Sequence, residues 1–348
     1  MIGGDGAGSG QIDSTGDVGP VKIGGDIRGG KGTNSGSLAF NTAGDVTIGG
    51  SIVGGVGDGS GEMQAGSFGK VKIARDLAGG VGVGSGMLFA SMQNGTIVGV
   101  TIGKSLKGGL GTDSGQVKSA SYLGPVKISG NIVGSAGVAS GRIVTTSLLS
   151  GNIKSVSVGG DIIGGPGGKT GIAAEFQLGA VNVKGGIYGA AGTVGIYAGA
   201  VIPNVIGISN YVALTSLSVG GSVERLQVLV GYDAAGNGVN GHVQLGTIKV
   251  GGDWTASDVV VGFDDTGSDG YGNNDMPINA GVANIVRVIG SITIGGTVSG
   301  TGASGDHFGF LSTIITAMII GGSPVTVPAA PGTAPLSPIT GDVTIYTA

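Results

Sequence analysis

Val46-Thr47-Ile48-Gly49-Gly50-Ser51-Ile52-Val53-Gly54-Gly55-Val56-Gly57-Asp58-Gly59-Ser60-Gly61 joins strand-like alternation to seven glycines in sixteen residues. Val46-Thr47-Ile48 reads in, out, in, as a strand does, and Gly49-Gly50 then turns the chain. Variants of this stretch precede and follow it. The second apolar residue of the triplet recurs at Ile23, Ile48, Ile73, Ile102, Ile128, Val158, Val183, Val219, Val250, Ile294 and Ile320. The first two steps are 25 residues each, and the longer ones read as insertions into the same unit. A period of this size marks stacked supersecondary units.

One unit can be followed through its turns. Val21-Lys22-Ile23 is a strand, Gly24-Gly25 a turn, and Asp26-Ile27-Arg28 a second short strand. Gly29-Gly30-Lys31-Gly32 turns again, and Ser35-Gly36-Ser37-Leu38-Ala39-Phe40 supplies a third. Three short strands in about 25 residues describe one rung of a parallel β-helix, each strand pairing with its equivalent about 4.8 Å away in the next rung. The expected fold is therefore all-β, a right-handed parallel β-helix (β-solenoid), because parallel crossovers are nearly always right-handed. Eleven to thirteen rungs would make a rod of roughly 50 to 60 Å. Glycine recurs where corners need positive φ or leave no room for a side chain.

Composition agrees. Glycine supplies 81 of 348 residues, yet there are only 10 prolines and no three-residue period, which excludes collagen. With 40% apolar residues the chain is too hydrophobic for a disordered linker. A net charge of −4 gives no overall reason to expect nucleic acid as a partner. No apolar run approaches the length of a membrane helix, so membrane insertion is not expected. Without cysteine, neither disulfides nor thiolate metal sites are available.

The sequence divides into regular rungs over 1–205, longer rungs with acidic loops over 206–322, and a proline-rich cap or tail over 323–348. Residues 1–12 align with residues 27–38, so the first residues fall in mid-rung. That suggests a piece of a longer repetitive protein, whose export signal would lie elsewhere. An exposed first rung invites end-to-end self-association.

The acidic loops hold the candidate chemistry. Asp233 follows Val219 by 14 residues and Asp264 follows Val250 by the same 14, so the two loops should stack. Asp233, Asp264, Asp265, Asp269, Asn273 and Asp275 offer oxygen ligands on turn-forming backbone, the donor set calcium requires. The competing reading is a solvated turn that uses Asp and Asn for backbone hydrogen bonds. Only two histidines exist, His242 and His307, which excludes an HExxH zinc site. Asp306, His307 and His242 are the candidate catalytic groups if the chain is an enzyme; the preferred reading of Asp306 and His307 is as polar loop positions at the edge of a rung, since adjacency in sequence is not the geometry that catalysis needs. The outward residues between the anchors, among them Lys22, Thr47, Lys72, Thr101 and Lys127, read as a solvent-facing column that keeps the sheet soluble.

Gly252-Asp253-Trp254-Thr255-Ala256-Ser257-Asp258, the acidic loop after it, and Asp306-His307-Phe308-Gly309-Phe310 followed by Ile319-Ile320-Gly321-Gly322 resemble the C-terminal end of large glycine-rich repeat proteins of planctomycete- and verrucomicrobia-type bacteria. The upstream ladder is similar too, so the resemblance spans most of the chain. It implies an exported or surface-associated parent and no established activity, and transfers no catalytic residue. Three functional expectations stand beside it: a structural, adhesin-like rod that binds calcium or a surface polymer; a calcium-assisted hydrolase of small esters or lactones with its site on the irregular rungs; and, weakened by the few aromatic platforms for gripping sugars (one Trp, seven Tyr and seven Phe), a carbohydrate-processing β-helix.

Overall fold

The computed structural model describes residues 1–148, 150–189, 192–200, 211–267, 270–278, 287–303, 305–336 and 341–347. Every regular element among them is a strand; most form three parallel ladders that wind as a β-solenoid, while Phe263–Asp264 and Met276–Pro277 make a separate antiparallel pair in a loop. Among the described residues there is thus no helix long and apolar enough to cross a membrane.

The anchor ladder starts with Val21–Ile23, Val46–Ile48 and Phe68–Ile73 and runs to Met318–Ile320. Every step of the anchor column is a register pair: Ile23 with Ile48, Ile48 with Ile73, and so on through Val250 with Ile294 and Ile294 with Ile320. The short ladder, from Ile27–Arg28 to Val298–Ser299, has ten strands. The anchor column has eleven paired members and the short ladder ten strands, so the described residues make about ten turns, at the lower edge of the eleven to thirteen rungs expected; long connections after Val230 occupy residues that would otherwise make more. The third ladder opens with Ile12–Val18 paired to Leu38–Ala43, Ile12 opposite Leu38. Its strand begins at Leu38 rather than Ser35, since Asn34 and Gly36 adopt left-handed φ of 53° and 61° and belong to a turn.

The reason for alternation is visible in burial. Inward residues of all three ladders merge into a single apolar core extending from Ile27 to Ile345. Burying this stripe on every turn is the main favourable term, at roughly 25 cal/mol per Å² of apolar surface.

The corners explain the glycine. At each regular third-strand corner two residues are left-handed. The first position holds Gly8, Asn34, Gly59, Gly84, Asp113, Ala139 and Lys169. The second holds Gly10, Gly36, Gly61, Gly86, Gly115 and Gly141, with φ between 61° and 67°. A Cβ at Gly84 would make only ordinary contact with Met87, so the first position admits side chains. A Cβ at Gly86 would fall on the carbonyl oxygen of Ala78, so the second does not.

Between them lies a serine. Ser35, Ser60, Ser85, Ser114 and Ser140 have no exposed surface, and their hydroxyls accept the backbone N–H five residues upstream at 2.9, 2.9, 3.0, 2.9 and 3.1 Å. Thr170 does the same for Gly165 at 3.4 Å. The short ladder is stapled in the other direction, from rung to rung: Asp26 Oδ1 accepts the Ser51 N–H at 2.8 Å, Asp76 Oδ1 that of Ser105 at 3.1 Å, and Asp161 Oδ1 that of Gly186 at 2.8 Å.

At the far end, Ser323–Pro324 pairs antiparallel with Met318–Ile320, and Gly332–Pro335 pairs antiparallel with Val343–Thr347. Val343–Thr347 itself extends the third ladder beside Phe308–Ser312.

Candidate functional site

The acidic loops lie over the outer face of the third ladder. Leu226–Val230, Asp258–Val261 and Phe308–Ser312 are buried on both faces, unlike strands that keep one face in water. The outward residues Val144, Ala173, Tyr197, Leu229, Val260 and Leu311 meet Tyr232, Ala234, Phe263, Tyr271 and Ile278 in a second, smaller core. Tyr232 and Phe263 are 31 residues apart, the same separation as Val219 and Val250. Their loops touch: the Tyr232 hydroxyl donates to the Phe263 carbonyl and lies 3.1 Å from both Asp264 Oδ1 and the Tyr271 hydroxyl. Arg287 fastens the second loop, its Nε donating to the Gly262 carbonyl at 2.8 Å and Nη2 to that of Ile278 at 3.1 Å, with the guanidinium 4.8 Å from the Phe263 ring centre.

The candidate ligands mostly serve these loops. Asp233 Oδ1 accepts the N–H groups of Ala235 and Asn237 at 2.9 and 2.8 Å. Asp265 Oδ2 accepts the Gly270 N–H at 3.2 Å, and Asn273 Oδ1 that of Asn274 at 2.6 Å. Asp275, 3% exposed, accepts the Gly272 N–H at 2.6 Å through Oδ2. Asp269 lies outside the described residues. Among the described residues no three histidine, aspartate or glutamate side chains converge as a metal site would require. His242 is half-buried, and burial followed by the Arg287 charge lowers its pKa. His307 pairs through its backbone with Gly270, while Asp306 accepts a hydrogen bond from the Thr301 hydroxyl.

Two clefts open beside the loops, along the outward column Gln116, Arg142, Gly171, Gly195, Gln227, Asp258. One, of about 380 Å³, is lined by Arg225, Gln227, Asp258, Thr301, Asp306 and Phe308 among others. Asp258 is 5% exposed and accepts the Gly309 N–H at 3.0 Å. Burial pushes its carboxyl well above the usual range, against the pull of that hydrogen bond. The other cleft, of about 310 Å³, holds Gln116, Arg142 and Glu175, with the Arg142 guanidinium donating to the Ala234 carbonyl. Burial raises the Glu175 pKa and lowers that of Arg142. Neither cleft is lined by a histidine, so neither brings Asp306, His307 and His242 together.

Asp258, Arg142, Glu175 and Gln227 did not stand out in the sequence. For Asp258, Arg142 and Gln227 the signal is positional: each adjoins apolar strand residues, as in Asp258-Val259-Val260-Val261, and becomes legible only once the register assigns it to the outward column, while Glu175 directly follows the strand Thr170–Ala174. The features together define a β-solenoid whose last rungs carry a loop-covered outer sheet. No family model, curated protein or solved structure matches the chain.

Proposed function

We propose that the chain is a structural rod segment of an exported bacterial repeat protein. The observation that carries this reading is the serial corner: the same left-handed residue, buried serine and crowded glycine close one rung after another. Such a corner makes each rung self-sufficient apart from its neighbours, which is how a solenoid is lengthened without redesign. Chemistry is thinly represented by comparison, since the carboxylates of the acidic loops are engaged with their own backbone.

The test combines architecture and activity. Excising residues 47–71, one 25-residue repeat, should leave a folded rod shorter by one strand spacing (about 4.8 Å) in solution scattering. The intact chain should turn over none of a panel of small esters and acyl-homoserine lactones, with or without calcium. Turnover abolished by Asp258→Asn or Asp306→Asn would overturn the reading.

A further inference from the structure

Charge is not spread evenly around the rod. The whole chain carries 17 Lys and Arg against 21 Asp and Glu. The anchor-ladder strands nevertheless contain six lysines, Lys22, Lys70, Lys72, Lys127, Lys154 and Lys249, and no acidic residue. All six side chains are exposed, and none takes part in the ion pairs formed among the described residues, which are Arg28 with Asp26, Lys31 with Asp5, and Lys107 with Asp76. Lys70, Lys72 and Lys127 line a shallow groove of about 530 Å³ with Thr47, Thr101 and Pro125. Asp45 is the one carboxylate lining it, and its Oδ1 accepts the Lys70 N–H at 2.8 Å.

We propose that this face docks a linear anionic polysaccharide laid along the rod axis. Register gives the reason. Lys22, Thr47, Lys72, Thr101 and Lys127 are successive members of one column, so lysines recur on alternate rungs about 9.6 Å apart. A pyranose unit in an extended chain advances by a length comparable to the strand spacing of about 4.8 Å. In a two-fold extended polymer every second carboxylate faces the same side and meets the next lysine of the column. The intervening Thr47 and Thr101, and Ser157 and Asn182 further along, supply hydroxyl and amide groups for the sugar hydroxyls.

Nucleic acid fits less well. Single strands are held by bases stacking on aromatic side chains, and the anchor-ladder strands contain one aromatic residue, Phe68, which points into the core. Arginine, the residue suited to bidentate phosphate contacts, is absent from these strands. Flatness and spacing favour a ribbon-like polymer with one charge per unit.

Polygalacturonate is the probe, with neutral dextran and single-stranded DNA of equal charge as comparators, titrated calorimetrically into the full chain at low and physiological salt. Binding should be strongest to polygalacturonate, absent for dextran and weakened by salt. Lys72→Glu combined with Lys127→Glu should weaken it at least tenfold. Lys31→Glu combined with Lys169→Glu makes the same charge change at exposed corner positions and should alter it less than twofold. Melting curves of all variants check that the fold is kept, which exposed lysines permit. Equal losses in the two double variants, tighter binding of DNA than of polygalacturonate, or no binding at low salt would each overturn the proposal.

Discussion

Replacing Ser85 by alanine isolates the corner serine. Its hydroxyl accepts the Gly80 N–H at 3.0 Å and donates to the Gly82 carbonyl at 2.7 Å, with no surface exposed. Removing one oxygen leaves the Cβ and the packing in place, so the loss is almost wholly that of hydrogen bonding. A donor stranded away from water costs about 1–3 kcal/mol, and the half-buried Gly80 points to the middle of that range, about 2 kcal/mol. Ser9→Ala removes the equivalent bond to Gly4 at 2.7 Å, but at an exposed corner where water replaces the hydroxyl, so its effect should stay within about 0.5 kcal/mol. Ser85→Thr should fall between, because Thr170 already occupies the same column. Denaturant titration gives the three free energies. Hydrogen exchange adds locality: in a stacked array the loss should appear in the rung of Ser85 and its two neighbours before the rest of the rod. Equal destabilisation by Ser85→Ala and Ser9→Ala would refute the corner's role.

The two left-handed positions predict opposite tolerance: Gly84→Ala should cost about 1 kcal/mol of backbone strain. Gly86→Ala, whose Cβ would collide with the Ala78 carbonyl, should cost at least about 3 kcal/mol by chemical denaturation. Burial lifts the Glu62 carboxyl from 4.5 to about 7, so between those two pH values it stays protonated in the folded chain while it ionises in the unfolded one. Stability should therefore fall as pH rises from about 4.5 to 7; at 1.36 kcal/mol per unit, Glu62→Gln should be more stable than the parent at pH 8 by up to about 3 kcal/mol and equal to it at pH 4. Parallel pH profiles for the two chains would contradict this.

How much of the fold is legible in the sequence depends on which face of each strand is covered. Along the anchor ladder one face is core and the other water, so period two survives in every triplet from Val21-Lys22-Ile23 to Ser291-Ile292-Thr293-Ile294, and the column it defines pairs at every step. The third ladder loses that signal where it matters most for function. Val228-Leu229-Val230 and Val259-Val260-Val261 are buried without interruption because the loops bearing Tyr232, Phe263 and Tyr271 cover the outside. An unbroken apolar run in a chain that elsewhere alternates is itself a mark of a doubly covered sheet. It shows why loops rich in Asp, Asn and Gly read as solvated turns: their aromatic residues are isolated in sequence and gain a partner only across rungs. Asp306 was legible as a loop carboxylate and does line a cleft, whereas Asp258 across the same cleft was not, since a strand carboxylate acquires meaning from register alone.

The lysine column has the same logic. Counted along the sequence, alternating lysine and threonine is a means of keeping one sheet soluble; placed in register, with every acidic side chain outside the anchor-ladder strands, it becomes a row of like charges at a fixed spacing. Like charges about 9.6 Å apart are close to one Debye length at physiological ionic strength, so their mutual repulsion is modest and leaves the rod stable. Their fields nevertheless add at a ligand that runs alongside all of them. A compact anion meets one lysine at a time, whereas a linear one meets the row, and that difference separates a merely soluble face from one that selects extended polyanions.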